Sequence, residues 1–224
     1  MLERFRQFWT NLWAPVGNLL IRLGVSPNAV TFVGTLGVVV GALVFFPRGH
    51  LLTGVIVITC FVFSDMIDGY MARTTGTVSP FGAFLDSTLD RIGDAAIFGG
   101  LAMYYVGPGD NDWIAALAIY CLSMGSVTSY ARARAESLGM QAKVGIAERA
   151  DRLVSVLVIT GVAALLHDVG VGGGVLWAIP VTLAVLAVAS TVTVVQRVLV
   201  VRDQARRPAP EQQGRASGAP PGAP

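Results

Sequence analysis

The feature that most limits the folds open to this chain is its succession of long, nearly uncharged apolar stretches. Six of them, at about residues 28–46, 51–72, 83–106, 113–134, 148–166 and 174–201, come near the roughly 20 apolar residues a helix needs to cross a bilayer. Turn chemistry separates them: Pro47-Arg48-Gly49, Gly76 to Pro80, Gly107-Pro108-Gly109 and Gly170 to Gly174. With 54% hydrophobic and only 13% charged residues, 224 residues cannot hide this surface in a soluble core. An ordinary soluble domain carries about 25% charge. The expectation is an all-α integral membrane protein with six transmembrane helices and an N-terminal amphipathic interfacial helix. Pro180, inside the last stretch, predicts a kink there.

Basic residues orient such a bundle, because Lys and Arg favour the cytoplasmic face. An even number of spans puts both termini on one side, and all but Arg48 of the 16 Lys and Arg then fall on it. They come from the N-terminal stretch (Arg4, Arg6, Arg22), the second-to-third hinge (Arg73, Arg91), the fourth-to-fifth connection (Arg132, Arg134, Lys143, Arg149, Arg152) and the C-terminal end (Arg197, Arg202, Arg206, Arg207, Arg215). This predicts a multi-pass protein of the cell membrane with both termini in the cytoplasm. Three regions follow: an interfacial helix at 1–24, a six-helix domain at 25–202 and a disordered tail at 203–224. Trp9 to Leu20, flanked by Trp and Arg, suits an amphipathic helix on the interface. Residues 1–24 lack the compact apolar block of a signal peptide, and the tail is rich in Pro, Gly, Ala and Arg. Cys60 and Cys121 stand in apolar stretches and read as small hydrophobes. A net charge of +2, with no basic run interleaved with aromatics, excludes nucleic acid as a partner.

Acids break the apolar pattern at one place. The second stretch ends Ser64-Asp65-Met66-Ile67-Asp68-Gly69, and the third begins Phe84-Leu85-Asp86-Ser87-Thr88-Leu89-Asp90, followed by Asp94. An isolated acid at membrane depth costs at least a few kcal/mol, so buried acids there face the protein interior and have work to do. Asp65 and Asp68 are three apart, and Asp86 and Asp90 four apart, so each pair shares a helix face. A hinge with Gly76, Pro80 and Gly82 makes the two helices antiparallel neighbours, which brings the four carboxylates into one cup. Oxygen-only ligands select hard cations, Mg²⁺ or Mn²⁺, and two such ions would clamp a diphosphate for in-line displacement at phosphorus. The plain alternative is helix-end acids paired with Arg73 and Arg91, which does not call for four acids on matched faces. Asp94 is either the outer shell of the cup or simply the partner of Arg91.

The pattern Asp65-x2-Asp68-Gly69-x2-Ala72-Arg73-x8-Gly82-x3-Asp86-x3-Asp90 resembles, without a departure, the signature of the CDP-alcohol phosphatidyltransferases. The resemblance implies six transmembrane helices, an amphipathic N-terminal helix, a cytoplasmic-side active site and a homodimer. It implies that Asp65, Asp68 and Asp86 hold metal and that Asp90 is both ligand and general base. It implies contacts of CDP-diacylglycerol with Asp65, Gly69, Arg73 and Ser79. The stretch Pro27-Asn28-Ala29-Val30-Thr31 is similar to a family segment beside the nucleotide, which adds Asn28, Ala29, Val30 and Thr31; read without the resemblance, it is a helix start. The implied reaction moves a phosphatidyl group from CDP-diacylglycerol to an alcohol as CMP leaves, with two Mg²⁺ or Mn²⁺ ions per site. His50 and His167 are predicted at the opposite face, and no Cys or His stands near the signature, which argues against a covalent intermediate.

Basic residues speak to the acceptor. Arg132, Arg149 and Arg152 are cations at helix ends on the same side as the cup, and Arg197 can close the same site. An acceptor that already bears a phosphate would use them; otherwise they serve topology and lipid headgroups. As a set they are similar to the basic residues of the bacterial phosphatidylinositol phosphate synthases, which implies acceptor-phosphate contacts for Arg132, Arg152 and Arg197 and an inositol phosphate (1D-myo-inositol 3-phosphate) as substrate. That family often has Lys where Arg132 stands, and the two differ in geometry. Glycerol 3-phosphate is the second candidate and serine the third. A divalent-cation transporter would instead place acids near the midplane, whereas residues Ala95 to Val106 carry no charge.

Overall fold

Ser26 caps the first long helix: its Oγ accepts from Ala29 N at 3.3 Å, with Pro27 at the first helical position. The same device opens the longest helix of the acid cup, where Ser79 Oγ accepts from Gly82 N at 3.0 Å ahead of Pro80. The structure, a computed structural model, describes residues 13–206, which are helical with no strand among them. The expectations for residues 1–12 and 207–224, including Arg4, Arg6, Trp9, Arg207 and Arg215, lie outside the described residues.

In chain order the helices are α1 (residues 13–22), α2 (Pro27–Val40), α3 (Leu51–Val62), α4 (Ser64–Thr75), α5 (Pro80–Val106), α6 (Asp112–Ser137), α7 (Arg149–Asp168) and α8 (Ala178–Ala205). Helix α2 continues through a π turn, Gly41–Phe45, and a 3₁₀ turn, Phe46–Arg48. The second apolar stretch is not one helix. It breaks at Phe63, whose carbonyl accepts from Met66 N at 3.1 Å, and α4 restarts directly before Asp65. Pro180 does not kink a helix interior. It stands in the first turn of α8, where its missing N–H has no intrahelical partner to lose, and the change of helix type occurs just before it, in the 3₁₀ turn Gly173–Trp177. Residues 203–205, expected in the tail, are the last turn of α8, which runs to Ala205.

Five helical stretches among the described residues, some joining consecutive helices, are long and apolar enough to cross a membrane: Pro27–Arg48, Leu51–Thr75, Asp112–Ser137, Arg149–Asp168 and Gly173–Ala205. Helix α5 is long enough, but Asp86, Asp90, Arg91 and Asp94 crowd its first half. The outward side of α8 carries Val181, Val185, Val188, Val192, Val195 and Leu199, all exposed at helical spacing, as a lipid-facing helix requires.

The apolar core lies in the half of the bundle away from the acids, around Ala42, Phe46, Ile58, Ile97, Phe98, Leu101, Ala118 and Leu183. Helix α5 packs against α2 and α6, α6 against α8, and α7 against α3 and α8. Helix α2 meets α3 and α4 along a seam of small residues. A Cβ on Gly34 would lie 1.7 Å from Ser64 Oγ, and one on Gly37 2.2 Å from the Phe61 ring. This near backbone contact brings Thr31 of α2 to Asp68 of α4. The turn from α4 to α5 passes through Gly76 at φ +67°, which a glycine adopts without strain. Helix α1 lies on α4: the Trp13 ring stacks on Phe63 with centroids 5.3 Å apart, and Tyr70 donates to Asn18 Oδ1 at 3.0 Å.

Candidate active site

Asp65 enters the site from the first turn of α4, directly after the break at Phe63, and Asp86 and Asp90 stand one turn apart on α5. Each of these three offers a carboxylate oxygen, and the three oxygens lie within 4.8 Å of one another. Two unit charges at 4 Å repel by about 1 kcal/mol in water and about 4 kcal/mol near a protein surface, so a cation between them would stabilise the trio. Three oxygen donors so close suit a hard divalent ion.

The expected fourth member, Asp68, stands outside this trio but on the wall of the same cleft. Asp68 is 8% exposed, and its Oδ2 accepts from Thr31 Oγ1 at 2.5 Å. Three residues of helix leave it about 60° around the axis from Asp65, and the Thr31 hydroxyl holds it toward α2.

A cleft of about 780 Å³ opens over these carboxylates. Its walls include Asn28 and Thr31 from α2, Asp65, Asp68, Gly69 and Arg73 from α4, Ser79 from the connection, Gly82, Asp86 and Asp90 from α5, and Arg149 from α7. All the residues expected beside the nucleotide therefore line one cavity, except Ala29 and Val30, which are not among its walls. Ser79 is also the cap of α5, so its hydroxyl already accepts one backbone N–H. Arg73 makes no ion pair among the described residues, which leaves its forked donors available. Among the described residues no Cys or His lines the cleft; His50 and His167 line a separate cavity of about 300 Å³ at the other end of the bundle.

Arg149, which the sequence shows only as a helix-end cation on the side of the cup, pairs directly with its acids. It occupies the first position of α7, just after the Glu148 cap. A cation there opposes the helix dipole, so partners elsewhere must hold it. Its Nη2 lies 3.0 Å from Asp90 Oδ1 and its Nε 3.1 Å from Asp94 Oδ1. The signal was present in principle: a basic first-turn residue and two acids four apart on another helix. Asp94, 6% exposed, therefore has Arg149 as its closest partner, with Arg91 at 3.9 Å and Arg152 at 4.0 Å.

The three arginines expected at an acceptor phosphate do not line this cleft. Arg152 and Arg197 are buried behind it. Arg152 Nη1 donates to Ala147 O at 3.3 Å, while its Nη2 is buried without a hydrogen-bond acceptor. Arg197 donates to Val144 O at 2.9 Å and Thr128 O at 2.5 Å. Thr193 accepts from both Ile146 N and Ala147 N at 3.2 Å, so α8 pins the connection between α6 and α7. Arg132 is half-exposed and pairs with Glu136 at 3.1 Å.

Comparison with known proteins gives a consistent result. The profile of the CDP-alcohol phosphatidyltransferase family matches residues 24–195. The phosphatidylinositol phosphate synthase of Streptomyces avermitilis is 53% identical over 204 residues, covering 90% of this chain and 83% of that protein. The crystal structure of the Mycobacterium tuberculosis phosphatidylinositol phosphate synthase with CDP-DAG bound is similar at a TM-score of 0.77 and 39% identity, over 85% of this chain and 94% of that one. The structure of the same enzyme in complex with manganese and citrate gives a TM-score of 0.75 at 39% identity, over 84% and 88% of the two chains.

Proposed function

This chain belongs to the CDP-alcohol phosphatidyltransferase family, and on that premise we propose that it transfers the phosphatidyl group of CDP-diacylglycerol to a hydroxyl of an inositol phosphate, 1D-myo-inositol 3-phosphate, giving phosphatidylinositol phosphate and CMP. The observation that carries the reading is the convergence of Asp65, Asp86 and Asp90 at the floor of a cleft whose walls also hold Thr31, Gly69, Arg73 and Ser79. Similarity to proteins named phosphatidylinositol phosphate synthase supports the choice of acceptor.

The residues divide the work by chemistry. Arg73 offers paired N–H donors to the diphosphate of the bound nucleotide. Gly69 and Gly82, lacking side chains, let the nucleotide lie against the helix backbones. Asp90 takes the proton of the acceptor hydroxyl as its oxygen forms a bond to the β-phosphorus. The bond from that phosphorus to the CMP oxygen breaks, and CMP carries the electron pair away. The donor set fits hard cations: Asp65, Asp68, Asp86 and Asp90 would hold two ions of Mg²⁺ or Mn²⁺, which would neutralise charge on the diphosphate as Lewis acids. Arg152, with a buried guanidinium nitrogen lacking an acceptor, and Arg197 and Arg132 beside it take the phosphate of the inositol phosphate.

The same reading sets the surroundings. Helix α5 crosses the cell membrane as a sixth span, its acids turned inward to the cleft. The cleft faces the cytoplasm, α1 lies along the interface, and residues 25–202 form the catalytic domain. Two copies make a homodimer.

An acceptor screen tests the proposal. Purified protein with CDP-diacylglycerol and Mg²⁺ is followed for CMP release with inositol phosphate, inositol, glycerol 3-phosphate and serine, with Asp90→Asn as the blank. CMP release with inositol phosphate alone is expected. Turnover with glycerol 3-phosphate instead would keep the reaction class and sink the inositol assignment.

A further inference from the structure

Asp90 does not stand free in the cup: a single guanidinium ties it to a second acid one turn along α5. Arg149 reaches Asp90 Oδ1 through Nη2 at 3.0 Å and Asp94 Oδ1 through Nε at 3.1 Å. The guanidinium is rigid and planar, so two contacts through two different nitrogens fix its plane. With that plane fixed, one oxygen of Asp90 is committed to Arg149 and the other is left for the cleft. Asp94 is the anchor of this arrangement. It is buried and takes no part in the carboxylate trio, and its second oxygen faces Arg91 at 3.9 Å and Arg152 at 4.0 Å. The start of α7 is held independently by a reciprocal cap, in which Glu148 N donates to Asp151 Oδ2 at 3.0 Å. Arg149 is thus not needed to begin its own helix, and its charge at that position disfavours the helix.

We infer that Arg149 is a positioning residue for Asp90, anchored by Asp94, and that its charge sets how tightly the carboxylate cup holds a divalent cation. The inference deepens the proposed reaction and rests on it for the role of Asp90. Two separable consequences follow. The fixed positive charge beside Asp90 lowers the affinity of the cup for another cation. The planar bridge fixes the direction of the Asp90 carboxylate, on which proton transfer depends, since a displacement of about 1 Å can cost on the order of 100-fold in rate. Removing Arg149 should therefore tighten metal binding while slowing the reaction, a pairing of opposite signs that general structural damage does not produce.

The test uses the full-length chain in detergent, with Mn²⁺ as the probe and free Mn²⁺ read by electron paramagnetic resonance, alongside CMP release with saturating substrates. Arg149→Gln is expected to bind Mn²⁺ about three- to tenfold more tightly and to turn over about 100-fold more slowly. Arg149→Lys keeps the charge without the planar bridge, so its Mn²⁺ affinity stays near that of the parent while turnover remains low. Thermal melting of each variant checks that it folds, and the lysine variant carries the test if the glutamine variant does not. Looser or unchanged Mn²⁺ binding in a folded Arg149→Gln protein, or parental turnover in Arg149→Lys, overturns the inference. Should the parent protein release no CMP with any acceptor, the reaction reading fails, while tighter Mn²⁺ binding by Arg149→Gln would still support the role of Arg149 as the counter-charge of the cup.

Discussion

Thr31 Oγ1 donates to Asp68 Oδ2 across the contact between α2 and α4, and Asp90 Oδ1 faces Arg149, so two of the four signature acids each have an oxygen already committed. A hydrogen bond to a charged group contributes about 1.5–3 kcal/mol when both partners are present. Thr31→Val keeps the shape of the side chain and removes the donor. Asp68 then loses its orientation, and the Mn²⁺ concentration for half-maximal CMP release is expected to rise about tenfold. Thr31→Ser should stay within about twofold of the parent; equal behaviour of the valine and serine variants would refute the role given to the hydroxyl. Asp90→Asn retains size and loses basicity. Its turnover is expected to fall by about a thousandfold or more, in line with loss of a general base together with a metal ligand, while binding of CDP-diacylglycerol, measured by protection from thermal unfolding, persists. An Asp90→Asn protein that keeps a tenth of parental turnover would remove Asp90 from the role of base.

At the scale of helices, the position of Thr31 depends on how closely α2 can approach α4. A methyl group on Gly34 would sit 1.7 Å from Ser64 Oγ and 2.7 Å from Ser64 Cβ, too close for any rotamer to relieve. Gly34→Ala should therefore destabilise the protein by about 2 kcal/mol or more, as overpacked cores do, and should lower turnover because Ser64 immediately precedes Asp65. Adding Ser64→Gly removes both clashing atoms, so the double variant should regain most of the lost melting temperature; no recovery would place the damage elsewhere. This seam also marks where the sequence stops being readable. Helix starts at Pro27 and Pro80 were legible because Ser26 and Ser79 are local caps, and helix lengths were legible from unbroken apolar runs. The break at Phe63 was not, since Leu51 to Ala72 is continuous in apolarity up to Ser64 and the kink depends on contacts with other helices. Asp68 and Arg149 teach the same lesson within the site. Their spacing placed them near the cup, but which oxygen meets which partner is decided between helices, by Thr31 of α2 and by Asp90 and Asp94 of α5. The arginines were readable as a basic cluster at one end, yet their burial behind the cleft depends on how α8 packs on the α6–α7 connection.

Across the whole molecule, polarity is graded from one end of the bundle to the other. The buried face of α8 reads Ile179, Leu183, Leu186, Ser190, Thr193, Arg197 in order, and α7 runs the opposite way from Arg152 to Val156, Thr160 and Ala163. Helix α5 follows the same gradient, with its acids in the first half and Ile97, Phe98 and Leu101 buried in the second. A membrane protein can keep such a polar half only where the charges turn inward or reach water, and acids turned to the cleft are the condition on which the proposed sixth span, α5, rests. On the proposed six-span reading the two ends of α5 lie on opposite sides of the membrane, with the acid end inside, where basic residues favour it. Cysteine labelling in intact cells checks both statements, starting from a Cys60→Ala, Cys121→Ala background that retains activity. Thr77→Cys marks the connection before α5, and Asp112→Cys marks the first residue of α6 just beyond it. A membrane-impermeant maleimide should label Asp112→Cys in intact cells and Thr77→Cys only after permeabilisation. Labelling of both from one side would mean that α5 does not cross and the six-span architecture fails. Labelling in the reverse order would keep six spans and turn the cleft away from the cytoplasm, out of reach of a soluble inositol phosphate made inside the cell.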